Sequence, residues 1–183
     1  MIPQSTQLAR TSRGFSLVEL MVALALGLVM IGAVVTVFVS NQESARIKQE
    51  LDRAQEAFRF SSYTIMRVVQ QGQIRVPNTT LSPPELLVVE ISPGEGHRDC
   101  LGRTIGTGVS RNTFFIDGTR LLCRVESTGT THALETIVDG IDASRTAFTT
   151  PTVRSVRVRL AMQSTRDGSI GPTALFSATM RQP

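Results

Sequence analysis

The chain has 183 residues, a formal net charge of +4 and 41% hydrophobic residues. That apolar content supports a real core and excludes a low-complexity or disordered chain. Its length allows one domain of ordinary size beside a single membrane-length segment. Without Arg10 and Arg13 the net charge is +2, too weak to argue for nucleic acid as the main partner.

Residues 1–14 are short, polar and basic, and read as a leader outside the fold. Arg10 and Arg13, with no acidic residue before Glu19, place the N-terminus in the cytoplasm and the remainder outside the inner membrane. From Leu20 to Val39 there is no charged residue and no proline. A run of about 20 residues, rising about 1.5 Å each, makes a helix as long as a bilayer's hydrocarbon core is thick. A secretory signal peptide is a poor fit. The run is too long for the apolar core of one, and Ser40-Asn41-Gln42-Glu43-Ser44-Ala45 leads straight into a helical pattern. A plain anchor explains the length but not Glu19, because an ionisable group in lipid costs a few kcal/mol or more.

Gly14-Phe15-Ser16-Leu17-Val18-Glu19, followed by Leu20-Met21-Val22-Ala23, resembles the N-terminal motif of type IV pilins and type II secretion pseudopilins. The resemblance implies that a prepilin peptidase cuts between Gly14 and Phe15. It implies that Phe15 is then N-methylated and that Glu19 is the assembly residue. A buried carboxylate needs a partner. The amine freed at Phe15 supplies a positive charge only after cleavage, so the Glu19 of one subunit could meet the amine of another. Such a pair would set axial register more than it would add stability.

Residues 15 to about 71 read as one long helix. The part from 15 to 40 is apolar on all faces, as lipid or a filament core requires. Gly27 and Gly32 suit close helix approach or plain spacing equally well. Many major pilins carry a helix-breaking proline near the position of Thr36, and this chain has none. The part from 41 to 71 is amphipathic. Ile47, Leu51, Ala54, Phe58, Ile65 and Val69 fall near one stripe, which should pack on a sheet. Most of the charges between Arg46 and Glu56 lie elsewhere, as a solvated face. Gly72 is a helix stop, reinforced by Pro77.

Residues 72–183 are expected to form a β-rich extracytoplasmic domain. Val76 to Pro84 is loop, and Leu86 to Ile91 is a short buried strand. Thr113 to Ile116, Asp117-Gly118 and Arg120 to Val125 form the strongest hairpin, because Asp-Gly suits a tight left-handed turn. Another strand or two lies around Asp139-Gly140, between Ala133 and Ile141. In Val153 to Met162, Val156, Val158 and Leu160 alternate with Ser155, Arg157 and Arg159. Asp167-Gly168 turns the chain into a last strand, Ala174 to Met180. The fold class is α+β, one long helix packed on an antiparallel sheet domain.

Cys100 and Cys123 are the only cysteines. In an exported domain they are expected to pair, pinning a turn-rich loop to the hairpin. A closed loop of roughly 22 residues contributes about 3 kcal/mol in the chain-entropy picture. Glu95, His97, Asp99 and Cys100 superficially suggest a metal site, but match no standard ligand spacing and lack a second half, so a solvated turn is expected. His132 stands isolated among threonines. Asp167-Gly168 is too short an acidic turn to claim calcium. No Ser-His-Asp set, phosphate loop or catalytic carboxylate pair stands out, so the chain is expected to be non-enzymatic, without a cofactor or small-molecule substrate. Arg154, Arg157 and Arg159 suggest a partial basic patch, most simply a solvated outer face or a contact with acidic neighbours, with nucleic acid disfavoured.

Ala23 to Leu28, Val138 to Ile141, Val153 to Leu160 and Phe176 to Arg181 together resemble PilW-type minor pilins. That resemblance implies an inner-membrane protein that joins other minor and major pilins at the assembly platform. It implies that the protein primes assembly and enters a cell-surface tip complex, supporting twitching, adhesion or DNA uptake. The alternatives are a J-type minor pseudopilin of a type II secretion system and a pilus-tip adhesin.

Overall fold

The computed structural model describes residues 14–127, 130–132, 134–164 and 170–181. The leader arginines Arg10 and Arg13 and the Asp167-Gly168 turn lie outside the described residues. By its internal contacts the chain divides into two units, which meet between Ile47 and Lys48.

One helix, α1, runs over Leu17–Gln71. In the first unit it is apolar on every side from Leu20 to Val39 and nowhere buried beyond an intermediate level. In the second unit Ala54, Ser61, Thr64, Ile65, Val68 and Val69 are buried along one face. Ala57, Phe58 and Met66 are half-buried against the same core. The buried face differs from the expected stripe at its start. Ile47 and Leu51 have the right spacing but are 43% and 45% exposed, because the buried contacts on the helix begin at Ala54. At the other end Ser61 and Thr64 join the core despite their hydroxyls. The Ser61 hydroxyl donates to the Ala57 carbonyl at 2.6 Å, which satisfies it within the helix.

The six-stranded sheet comprises β1 (Gln73–Arg75), β2 (Glu85–Ile91), β3 (Ser110–Asp117), β4 (Arg120–Ser127), β5 (Thr130–Thr131) and β6 (Glu135–Val138). It runs in the order β1-β2-β3-β4-β5, with β6 also paired to β4, and every pairing is antiparallel. A second, three-stranded antiparallel sheet holds β7 (Ala147–Thr152), β8 (Ser155–Ala161) and β9 (Thr173–Thr179) in that order. Leu87, Val89, Ile91, Phe114 and Val125 of the first sheet share one core with Val156, Val158, Leu160 and Ala178 of the second. The α+β layout, a long helix packed on antiparallel sheet, is therefore as expected.

Three strands, β1, the two-residue β5 and β7, escaped the sequence reading. β1 has only three residues, and it is held by pairing Gln73 with Glu90 and Arg75 with Val88. β7 carries Pro151, which reads against a strand. It is tolerated because β7 is an edge strand whose ladder is irregular between Thr149 and Thr152.

Turn chemistry also resolves differently in detail. The β3–β4 register runs to the pair Asp117–Arg120, so Asp117 closes the strand and Gly118-Thr119 make the two-residue turn. Gly118 has φ of 59° and Thr119 has no positive φ, the pattern of a type II′ turn. Gly72 follows the last helical residue as expected, but its φ is not in the left-handed region. A Cβ built there would lie 2.6 Å from both the Glu90 carbonyl oxygen and Val89 Cγ1. Glycine is needed because α1 and β2 approach closely, not because the backbone turns left-handed.

Candidate assembly site at the start of the helix

Gly14, Phe15 and Ser16 precede the first helical residue, and the Leu20 amide donates to the Ser16 carbonyl at 3.2 Å. Glu19 therefore sits in the first turn of α1. An acidic side chain there is favoured by the helix dipole, by about 0.3–1 kcal/mol. Ser16 and Glu19 have the spacing of a capping box, a signal present in the sequence that the motif-based reading did not use. No hydrogen bond or ion pair engages the Glu19 side chain among the described residues. Its carboxylate is exposed at the head of an apolar surface.

Phe15 is 82% exposed, and the apolar side chains that follow are exposed around the whole circumference, from Leu17 to Val39. Among the described residues, this is the helix long and apolar enough to cross a membrane, and none of its most apolar stretch is buried. A contiguous apolar surface of this kind needs lipid or other helices to cover it. Gly14, Gly27 and Gly32 each have open space where a Cβ would go, and none has a left-handed φ. Among the described residues nothing requires glycine at those three positions. A requirement there has to come from whatever touches this surface.

In the second unit, Cys100 and Cys123 form a disulfide. The loop it anchors is bonded on several sides. The buried Asp99 carboxylate accepts from the Leu101 and Arg103 amides at 2.9 and 2.8 Å. Arg67 on α1 donates to the Asp99 carbonyl at 2.8 Å, and the Cys100 amide donates to the buried Asn112 side chain at 2.8 Å. The importance of Asn112 carries no local sequence signal, because it depends on a pairing 12 residues away. Three of the four members of the metal-like cluster are engaged in other ways, and Glu95 is exposed. Cys100 is in the disulfide, Asp99 binds backbone amides, and His97 Nδ1 lies 2.9 Å from the Ser92 carbonyl.

His132 is not isolated. Its Nδ1 lies 2.8 Å from an Arg103 nitrogen, and Arg103 also pairs with Glu135 at 2.8 Å. Arg157 and Arg159 share the outer face of β8, and Arg154 lies in the turn before it. A cleft of about 920 Å³ in this unit is lined by Gly72, Arg75, Glu90, His97 and Arg154 among others. It holds charges of both signs and no nucleophile–base pair.

Residues 9–35 match the family model described as Prokaryotic N-terminal methylation motif. No curated protein and no solved structure matches the chain. The motif, on an apolar helix continuous with a helix packed on antiparallel sheets, supports a type IV pilin-like protein.

Proposed function

We propose that this chain is a minor type IV pilin, a non-enzymatic subunit that primes pilus assembly and enters a tip complex with other pilins. The observation that carries the reading is the unpartnered Glu19 at the head of a fully exposed apolar helix, directly after Gly14-Phe15. Prepilin peptidase would cut after Gly14, and the open surroundings of Gly14 leave that bond accessible. Phe15 would then carry the methylated amine.

Before assembly the segment 15–40 would span the inner membrane with the leader 1–14 in the cytoplasm, and 72–183 would lie outside. After assembly the same segment would join the filament core, in a periplasmic and then cell-surface pilus. The helical segment 41–71 would link the core to the sheet domain. Glu19 distinguishes the two stages, because in filaments it would meet the Phe15 amine of another subunit.

The test is a deletion strain complemented with the wild-type chain or Glu19→Ala, scored for pili, twitching and type II secretion. Loss of pili with normal secretion, restored only by the wild type, is the expected result. Lost secretion with normal pili would assign the chain to a pseudopilin complex instead. Full rescue by Glu19→Ala would remove Glu19 from assembly. Intact mass of the mature chain should correspond to residues 15–183 plus one methyl group.

A further inference from the structure

We infer that the cleft beside β1 docks an extended acidic segment of a partner protein, which joins the six-stranded sheet as a further strand. Among the described residues β1 ends that sheet and pairs with β2 alone. Successive residues of an antiparallel strand turn their amide and carbonyl alternately toward the partner and away from it. A strand with one partner therefore keeps backbone donors and acceptors on its free side, and no other described backbone group bonds to them. A free edge of this kind is where an incoming chain adds.

The cleft follows that strand. All three residues of β1 line it, and from across it Val153 and Arg154 of the β7–β8 turn and Met180 and Arg181 after β9. Ile74 and Met180 are half-buried against the core and supply an apolar floor. Thr152 pairs with Ser155, so Val153-Arg154 is a two-residue turn. Glycine, asparagine and aspartate favour such a turn, and valine does not. Val153 is nevertheless 81% exposed at its tip, where neither turn chemistry nor the core accounts for it. The turn is held in place. The Met180 amide donates to the Arg154 carbonyl at 2.8 Å, and the Arg154 amide donates to the Thr152 hydroxyl oxygen at 3.3 Å.

Charge selects the occupant. Arg75, Arg154 and Arg181 line the cleft against two carboxylates, Glu90 and Glu95. Glu90 is already taken, because Arg75 donates to it at 2.7 Å. Arg154 and Arg181 have no carboxylate within ion-pair distance among the described residues. The wall opposite β1 is thus cationic and carries one exposed valine. Small-molecule sites are concave and mostly apolar. This cleft is instead bordered by exposed polar side chains, among them Gln70, Gln73 and Arg75, beside an open strand edge. An extended polypeptide meets each feature. Its backbone pairs with β1, an apolar side chain meets Val153, and a carboxylate meets Arg154 or Arg181.

The test uses the full-length chain in non-ionic detergent and fluorescence anisotropy. The probe is a labelled peptide of alternating valine and glutamate, about eight residues long, within the usual range for a strand. Two comparison peptides carry lysine in place of glutamate, or a methyl group on every backbone nitrogen. The expected result is binding of the glutamate peptide and none of either comparison peptide. Val153→Ser/Arg154→Gln should weaken binding about tenfold, the effect of one lost hydrogen bond to a charged group. Arg157→Gln, on the outer face of β8 and outside the cleft, should leave binding unchanged. Val153 and Arg154 are exposed, so unchanged thermal melting establishes that the double variant is folded.

No binding of the glutamate peptide, or equal binding by the folded double variant, would overturn the inference. Equal binding of the lysine peptide would remove the charge selection and overturn it too. Equal binding of the methylated peptide would do the same, because it would leave a carboxylate contact without strand addition. A loss in Arg157→Gln as large as in the double variant would place the peptide outside the cleft. Pilus entry plays no part in the assay, so its failure leaves the pilin reading standing.

Discussion

Replacing Gly72 by alanine adds one methyl group where three atoms already stand. The new Cβ would lie 2.6 Å from the Glu90 carbonyl oxygen, 2.6 Å from Val89 Cγ1 and 2.9 Å from Ile91 Cγ1. The valine methyl and isoleucine methylene belong to fully buried side chains, and the carbonyl is backbone within β2. None of the three can swing away cheaply. Relief requires either α1 or β2 to shift by several tenths of an ångström, and overpacking of this kind costs about 1–3 kcal/mol. Alanine's smaller unfolded-state entropy returns only about 0.4–1 kcal/mol, so the net change is destabilising by roughly 1–2 kcal/mol. For a domain of this size that lowers the melting temperature by about 3–8 °C. The assay is thermal unfolding of the full chain in detergent, followed by circular dichroism.

Two companion substitutions separate close approach from left-handed capping as the reason for glycine. Gly72→Asn should be at least as harmful as alanine, whereas a left-handed cap would tolerate asparagine. Gly106→Ala should be neutral or slightly stabilising, because Gly106 has open space and an ordinary φ. A Gly72→Ala protein that melts at or above the wild-type temperature would refute the close-approach reasoning.

Further predictions concern the sheet domain. Cys100→Ser/Cys123→Ser, or reduction, should lower stability by about 3 kcal/mol in urea unfolding, from the loop-closure entropy released to the unfolded chain. Asp139 is held below its ordinary value of 3.8 by the Gly140 amide and then by the Thr119 hydroxyl. Asp142 is lowered likewise, chiefly by the Ser144 hydroxyl. Depressed carboxylates stabilise above their unfolded value and lose that stability as pH falls through the folded one. Stability should therefore decline on acidification below about pH 4, and the decline should be shallower in Asp139→Asn/Asp142→Asn. A pH-melting series that is unchanged in the double variant would remove these two carboxylates from the acid response.

Much of the architecture was legible because its signals are local. The apolar run, the helix that continues to residue 71, the β3–β4 hairpin and the alternation of β8 each depend on residues close in sequence. The prepilin-like motif is likewise a contiguous stretch. What stayed hidden depends on distant partners. β1 is a strand only because β2 lies beside it. Arg103 reaches His132 and Glu135 across about 30 residues. Ile47 and Leu51 have core spacing but no core beside them.

The sequence by itself determined that a membrane-length helix opens the chain with one carboxylate at its head, because length, charge and motif spacing are properties of a single segment. Only the tertiary structure decided that the strands divide into two sheets and which charged residues meet. A total of charges says nothing about pairing. Pairs such as Arg103–Glu135 and Arg111–Glu85 join residues far apart in sequence, so they exist only once the strands are in place.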